Sequence, residues 1–212
     1  MRTAPVLALA AVLALALAGC GSGSKRPASA EAAAATPKRC THLAGWQKLA
    51  DRIDAPVYCP NWLPDPLTGE IGGRWNNIDA VDPDRSYLEG FVWQETGAGA
   101  AGGELHVNLR GYPDSTKIPA CDDTLFGGGK PRHVQIPCFA DPHGQRTING
   151  IRFTVYTVNQ GADQWHILYG WHHDGGLYTV SEHVAPPLDY AKVIQYLNRI
   201  TRNLVLVHPQ QG

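Results

Sequence analysis

The chain has 212 residues, with 18 Lys and Arg against 19 Asp and Glu and a formal net charge of −1 at neutral pH. That balance leaves no basic stripe, which argues against nucleic acid as a partner and against a strongly charged membrane patch. The segment from about Arg39 to Pro209 is one domain's worth of chain, long enough to bury a core without splitting.

The first residues read as a targeting segment. Arg2 supplies a short positive n-region and Val6 to Leu17 form an apolar run. The run is too short to cross a bilayer as a stable helix, which needs about 20 apolar residues. It ends in Leu17-Ala18-Gly19-Cys20, which resembles the lipobox of bacterial lipoprotein signal peptides. The resemblance implies cleavage after residue 19 and a diacylglyceryl group on Cys20, two acyl chains being enough for stable anchoring. Losing residues 1–19 takes Lys plus Arg from 18 to 17 against 19 acids, so the mature charge is about −2. Residues 20–38 carry the lipidated cysteine and then a small, polar, Ala- and Pro-rich stretch, read as a flexible tether. Residues 39–209 are expected to form a single disulfide-stapled extracytoplasmic domain.

Setting Cys20 aside leaves Cys40, Cys59, Cys121 and Cys138, an even number in an exported chain, which points to two disulfides. Of the three connectivities that four cysteines allow, the sequential one is preferred, Cys40 with Cys59 and Cys121 with Cys138, because each pair flanks its own compact loop. A zinc site built from these cysteines lacks any CxxC spacing and would face an oxidising compartment.

In chain order, Thr41 is the expected N-cap of a short helix with Leu43, Trp46, Leu49 and Ile53 on one face. Ala55 to Pro66 must then be extended, because its prolines fix φ and disfavour helix before them. Period-two stretches follow at Tyr87–Glu95, Glu104–Arg110, His133–Phe139 and Ile151–Val158. In the second of these, Leu105, Val107 and Leu109 face one way and His106, Asn108 and Arg110 the other. Gln164–His173 and Leu177–Val184 form a hairpin across Asp174-Gly175-Gly176, with a Gly175-Gly176 turn the expected register. That register places Trp165, Ile167, Tyr169 and Trp171 on one apolar face with Tyr178, Val180 and Val184. Asp189 caps a closing helix whose stripe is Val193, Ile194, Leu197, Ile200 and Leu204. The expected fold is α+β: a mostly antiparallel sheet with a short N-terminal helix and a C-terminal helix packed on one face.

Val57-Tyr58-Cys59-Pro60-Asn61-Trp62-Leu63-Pro64 resembles the opening of a bacterial extracytoplasmic domain family of unknown function, found in lipoproteins and on anti-sigma factor tails. The likeness continues through Ile148-Asn149-Gly150, Leu168-Tyr169-Gly170-Trp171 and the strand at 176–180, and it ends in the closing helix. It covers about Asp54 to Asn203, and its motifs are structural, so it implies no catalytic residue.

The nine histidines raise a metal hypothesis. His166, His172 and His183 fall on the less apolar hairpin face. His172 is six residues beyond His166, about 20 Å at strand rise, so one ion cannot bridge those two and no metal or other cofactor is expected. Ser181-Glu182-His183 holds the residue types of a hydrolase triad, but neighbouring strand side chains point to opposite faces. Asp79, Asp82 and Asp84 do not follow a calcium-loop spacing and read as turn residues. Gly127-Gly128-Gly129-Lys130 lacks the Ser or Thr and the helix of a P-loop. Trp165 and Trp171 are assigned to the core. Trp62, Trp75 and Trp93 sit in or beside loop-like sequence and are the candidates for lining a ligand groove.

The resulting expectation is a non-enzymatic binding or accessory lipoprotein for an envelope protein or an apolar ligand. It would sit on the outer face of the cytoplasmic membrane, or on an outer membrane where the host has one. A sensory or structural module like the anti-sigma tails is the alternative. A hydrolase ranks third.

Overall fold

In chain order the elements are α1 (Leu43–Ile53), β1 (Val57–Pro60), β2 (Gly73–Val81), β3 (Tyr87–Glu95), β4 (Glu104–Tyr112), β5 (Ala120–Gly127), β6 (Lys130–Pro137), β7 (Pro142–Ile148), β8 (Ile151–Val158), β9 (His166–His173), β10 (Gly176–His183), α2 (Tyr190–Arg202) and β11 (Leu204–Val207). They come from a computed structural model that describes residues 40–67, 73–95, 103–158 and 165–210. Cys20 and the tether lie outside the described residues. The chain separates into Met1–Thr36 and Pro37–Gly212, and the described residues all belong to the second unit.

Seven strands form one antiparallel sheet in the order β2-β3-β4-β10-β9-β8-β7, while β1 pairs with β11 and β5 with β6. The mostly antiparallel sheet with one early and one late helix is therefore the expected architecture. Within the sheet β10 has β4 on one side and β9 on the other, with Val180 opposite both Leu109 and Tyr169. The period-two alternation sorts side chains onto two faces. One carries Phe153, Val155, Ile167, Tyr169, Trp171, Tyr178, Val180, Val107, Leu109 and Phe91, all buried in the main core with Val193, Leu197 and Ile200 of α2. The other face carries a smaller cluster of Phe139, Val158, Leu168 and Leu177.

Local chemistry sets the helix ends, in one case against expectation. His42, in the left-handed region at φ 58°, is the N-cap of α1 and makes no side-chain cap. Thr41 instead donates its N–H to the Pro60 carbonyl at 3.2 Å, so cross-chain pairing takes the place of capping. Trp46, Leu49, Ala50 and Ile53 are the buried face of α1. Arg85, in the turn between β2 and β3, donates to the Ile53 and Asp54 carbonyls at the far end of α1 (3.1 and 3.2 Å) and forks onto Asp114. A cation there satisfies carbonyls that have no partner within the helix and complements its dipole. In α2 the Asp189 carboxylate accepts from Lys192 N–H at 2.8 Å, as expected of an N-cap.

Leu204 departs from the expected helical stripe. The helix stops at Arg202, and Leu204–Val207 pair with Pro60–Val57 instead. An open strand edge offering a full antiparallel ladder outweighs one more turn of helix, a tertiary choice that periodicity cannot report.

The β9–β10 turn also differs by one residue. The two turn residues are Asp174 and Gly175, at φ 45° and 80°, and His173 pairs with Gly176. Positive φ at both positions is the requirement of a type I′ turn, which Asp-Gly meets. Trp171 therefore lies opposite Tyr178, and His166 lies opposite His183. The slide moves partners by an even number of residues, so the apolar face is retained. Trp165 is a correction: it precedes β9, takes φ 65°, and is 63% exposed, so it is not a core residue. Trp171 is buried as expected.

Both expected cysteine pairs stand at disulfide distance, with Cα separations of 5.7 Å for Cys40–Cys59 and 4.8 Å for Cys121–Cys138. The first ties the lead-in to α1 to β1. The second closes the base of the β5–β6 hairpin.

Candidate functional site

The back face of the sheet gathers a polar cluster at one end of its central strands. Glu104 and His106 alternate on β4, so both point to this face. His183 on β10 lies one step beyond the Val107–Glu182 pair, which sets it beside His106. His166 on β9 lies directly across from His183. The Glu104 Oε1 atom is 3.2 Å from His183 Nδ1 and 3.6 Å from His106 Nδ1. His106 Nε2 lies 2.9 Å from the Oδ1 of buried Asn108. His166 is buried, stacks on His183 at 4.9 Å and 11°, and meets His106 edge-on at 5.0 Å. The side chains of His106, Glu104 and His183 keep 18, 24 and 21% of their surface exposed, enough for a small ion or water to reach them.

Sequence reasoning named two members of this cluster and missed two. His166 and His183 are where it placed them, and His172 is correctly apart, exposed and 3.0 Å from the Thr116 carbonyl. His106 and Glu104 come from β4, about 60 residues or more earlier in the chain than either hairpin histidine. Their signal was present in the alternation of Glu104, His106 and Asn108. What was absent from the sequence was the adjacency of β4 and β10.

Ser181 and Glu182 divide as strand geometry requires. Ser181 shares the back face with His183, whereas Glu182 turns to the core face, opposite Ile167 and Val107. Glu182 is fully buried with both carboxylate oxygens lacking a hydrogen-bond partner, and burial pushes its carboxyl up to about 9. It is therefore held in its neutral form at pH 7.

The remaining candidates resolve into structure. Asp82 and Asp84 build the β2–β3 turn: the Ser86 hydroxyl donates to Asp84 at 2.6 Å and to Asp82 at 3.4 Å. The hydroxyl's bond to Asp84, with that of the Ser86 N–H, holds the Asp84 carboxyl below the usual carboxylate range. The side chain of Asp79 lies outside the described residues. Gly128 and Gly129 turn the β5–β6 hairpin at positive φ, and no helix follows. Trp62 is sandwiched by α2, with the Arg199 guanidinium 3.9 Å over its ring and Tyr196 edge-on at 5.8 Å. Trp93 is half-buried against the core and pairs with Trp75, whose side chain is outside the described residues.

A groove of about 320 Å³ runs beside α1, lined by Trp46, Leu49, Val81 and Phe91 with Lys48 and Arg52 among its charged residues. Neither Trp62 nor Trp93 lines it. The β5–β6 hairpin is a further exposed feature. Its strands pair with each other and with no other described strand, and Phe126 near its tip is 85% exposed. At its base Phe139 plugs the small back-face core, 5.0 Å from Tyr156.

No known family model, curated protein or solved structure matches this chain.

Proposed function

We propose that this chain is a bacterial lipoprotein held by an acylated Cys20 on the outer face of a membrane, and that its domain is a non-enzymatic binding module. The partner is an envelope protein that docks on the β5–β6 arm. The observation that carries the reading is Phe126, an aromatic side chain 85% exposed near the end of a disulfide-closed arm. A large exposed apolar group on a braced element marks a contact site. The two strands also offer backbone edges for pairing. A lipid surface is a poorer fit to the arm, because Asp122 and Asp123 stand on it among the cations Lys130 and Arg132.

The Cys20 assignment rests on the lipobox likeness, and two disulfide-distance cysteine pairs support an oxidising compartment. The likeness of Val57–Pro64 to the lipoprotein and anti-sigma tail family belongs to the same proposal. So does the placing of both helices on one sheet face, supported by Trp46, Leu49 and Ile53 of α1 and Val193, Leu197 and Ile200 of α2 sharing one core. The separation of Ser181 and His183 from Glu182 supports the non-enzymatic reading. The α1 groove is at the lower end of small-ligand sites, which run from about 300 to 1,000 Å³, so the arm is the stronger basis.

Mass spectrometry of the membrane-extracted chain is expected to show an N-terminal peptide that begins at Cys20 and carries a diacylglyceryl group, and an unmodified Cys20 would remove the anchor from the proposal. A photo-reactive residue at position 126 of the otherwise unchanged, membrane-bound chain is expected to trap one protein. The same probe at exposed Tyr190 should not trap it. Adducts with lipid alone, or none at position 126, would overturn the docking assignment.

A further inference from the structure

We infer that Glu104, His106 and His183 form a binding site for one divalent transition-metal ion of the zinc class, separate from the arm. The three residues each offer a ligand atom, and these atoms all lie within 4.8 Å of one another. Donors placed about 2.1 Å from a tetrahedral ion are separated by ~3.4 Å. The two contacts to Glu104 Oε1, at 3.2 and 3.6 Å, already have that spacing.

The protonation pattern points the same way. His106 Nε2 lies 2.9 Å from Asn108 Oδ1, a contact that suits the tautomer with the hydrogen on Nε2. In the neutral ring Nδ1 then presents its lone pair toward the Glu104 carboxylate. Two acceptors facing each other are brought together by a positive charge between them, either a metal ion or a second proton on the ring. An imidazole ligand whose other nitrogen donates to an oxygen is also the usual outer-shell arrangement of a metal-bound histidine, because that bond fixes ring and tautomer. His166 adds a second brace: its ring stacks on His183 and meets His106 edge-on, so it acts as a positioning residue.

Donor chemistry selects the class of ion. Two imidazole nitrogens and one carboxylate oxygen suit zinc and its neighbours, whereas calcium and magnesium take oxygen ligands throughout. The four described cysteines stand in disulfide pairs and do not compete as thiolates. Three protein donors leave a fourth position, open to water or to a donor from a partner. Because the cluster is partly exposed, an ion can enter without unfolding the sheet.

The competing arrangement is an extra proton on the imidazoles, giving an ion pair to Glu104 with no metal. The test uses untagged, detergent-extracted mature protein, stripped with a chelator and dialysed against Zn²⁺. One equivalent of zinc is expected to remain bound, with X-ray absorption showing two imidazoles and an oxygen donor. Glu104→Gln and His183→Gln should each weaken retention at least about tenfold, with circular dichroism confirming the fold. His172→Ala, outside the cluster, should bind like the parent. Absence of a stoichiometric ion would overturn the proposal, as would folded variants with parental affinity. X-ray absorption on the unaltered protein decides the matter where a variant does not fold, since a site without imidazole is incompatible with the assignment.

Discussion

Trp171→Ala is expected to destabilise the domain by about 3–5 kcal/mol, the range for deleting a buried large aromatic. Trp171 is 2% exposed and joins separate parts of the fold. Its ring meets Tyr58 of β1 edge-on at 5.0 Å, Phe153 of β8 at 5.1 Å, and Tyr178 of β10 at 6.0 Å in a stacked geometry. Tyr58 in turn packs edge-on against Tyr178 at 5.1 Å, so the deletion opens one side of an aromatic box. The gap lies between the small β1–β11 ladder and the main sheet, where neither can relax without breaking its own register. At roughly 2–4 °C per kcal/mol for a domain of this size, the melting temperature should fall by about 10 °C. Urea unfolding gives the free energy directly. Trp165→Ala, at an exposed position, should stay within about 0.5 kcal/mol of the parent. Equal losses for the two variants would place the core elsewhere.

Removing the Glu182 carboxyl should stabilise the domain, and by more as the pH rises. The side chain sits on the core face between Val107 and Ile167, with no hydrogen-bond partner for either oxygen. Burial raises its carboxyl from 4.5 to about 9. The native state therefore holds this proton through neutrality, while the unfolded chain releases it near 4.5. Between those values the unfolded state binds fewer protons, so stability falls as pH rises, by about 1.4 kcal/mol per unit. The favourable contribution is complete below the unfolded value and lost as pH climbs through the folded one. From pH 5 to pH 7 the drop attributable to Glu182 is on the order of 2–3 kcal/mol. Glu182→Met keeps the volume and removes the charge, so the gap between variant and parent should widen steadily from pH 5 to pH 9. Chelator-treated protein is the right sample, since His183 is the next residue. A gap that stays constant with pH would mean that Glu182 is ionised or solvated in the native state.

Much of the fold was legible because it is written in short-range periodicity. Tyr87–Glu95 and Ile151–Val158 are strands with the expected boundaries, and Asp189 caps α2. β2, β5 and β7 escaped notice for a physical reason. The described side chains of β5 and β7 are largely exposed, so no apolar alternation marks those segments. Trp165 misled because an aromatic residue in step with a strand pattern reads as its continuation, although the chain turns at positive φ before the strand begins.

The residues by themselves determined which side chains share a strand face, where prolines forbid helix, that Asp189 starts a helix, and which neighbouring cysteines can meet. Each of these follows from contacts a few residues apart or from short loops, whose closure costs little entropy. Tertiary structure alone decided that β4 lies beside β10, that Leu204–Val207 leave the helix to pair with β1, and that Glu182 is enclosed without a partner. It also decided that one residue of turn slide brings His166 opposite His183, with His106 and Glu104 arriving from across the sheet. Strand order and turn register are set by the combined burial of the whole sheet, a sum over residues far apart in the chain that no local window contains.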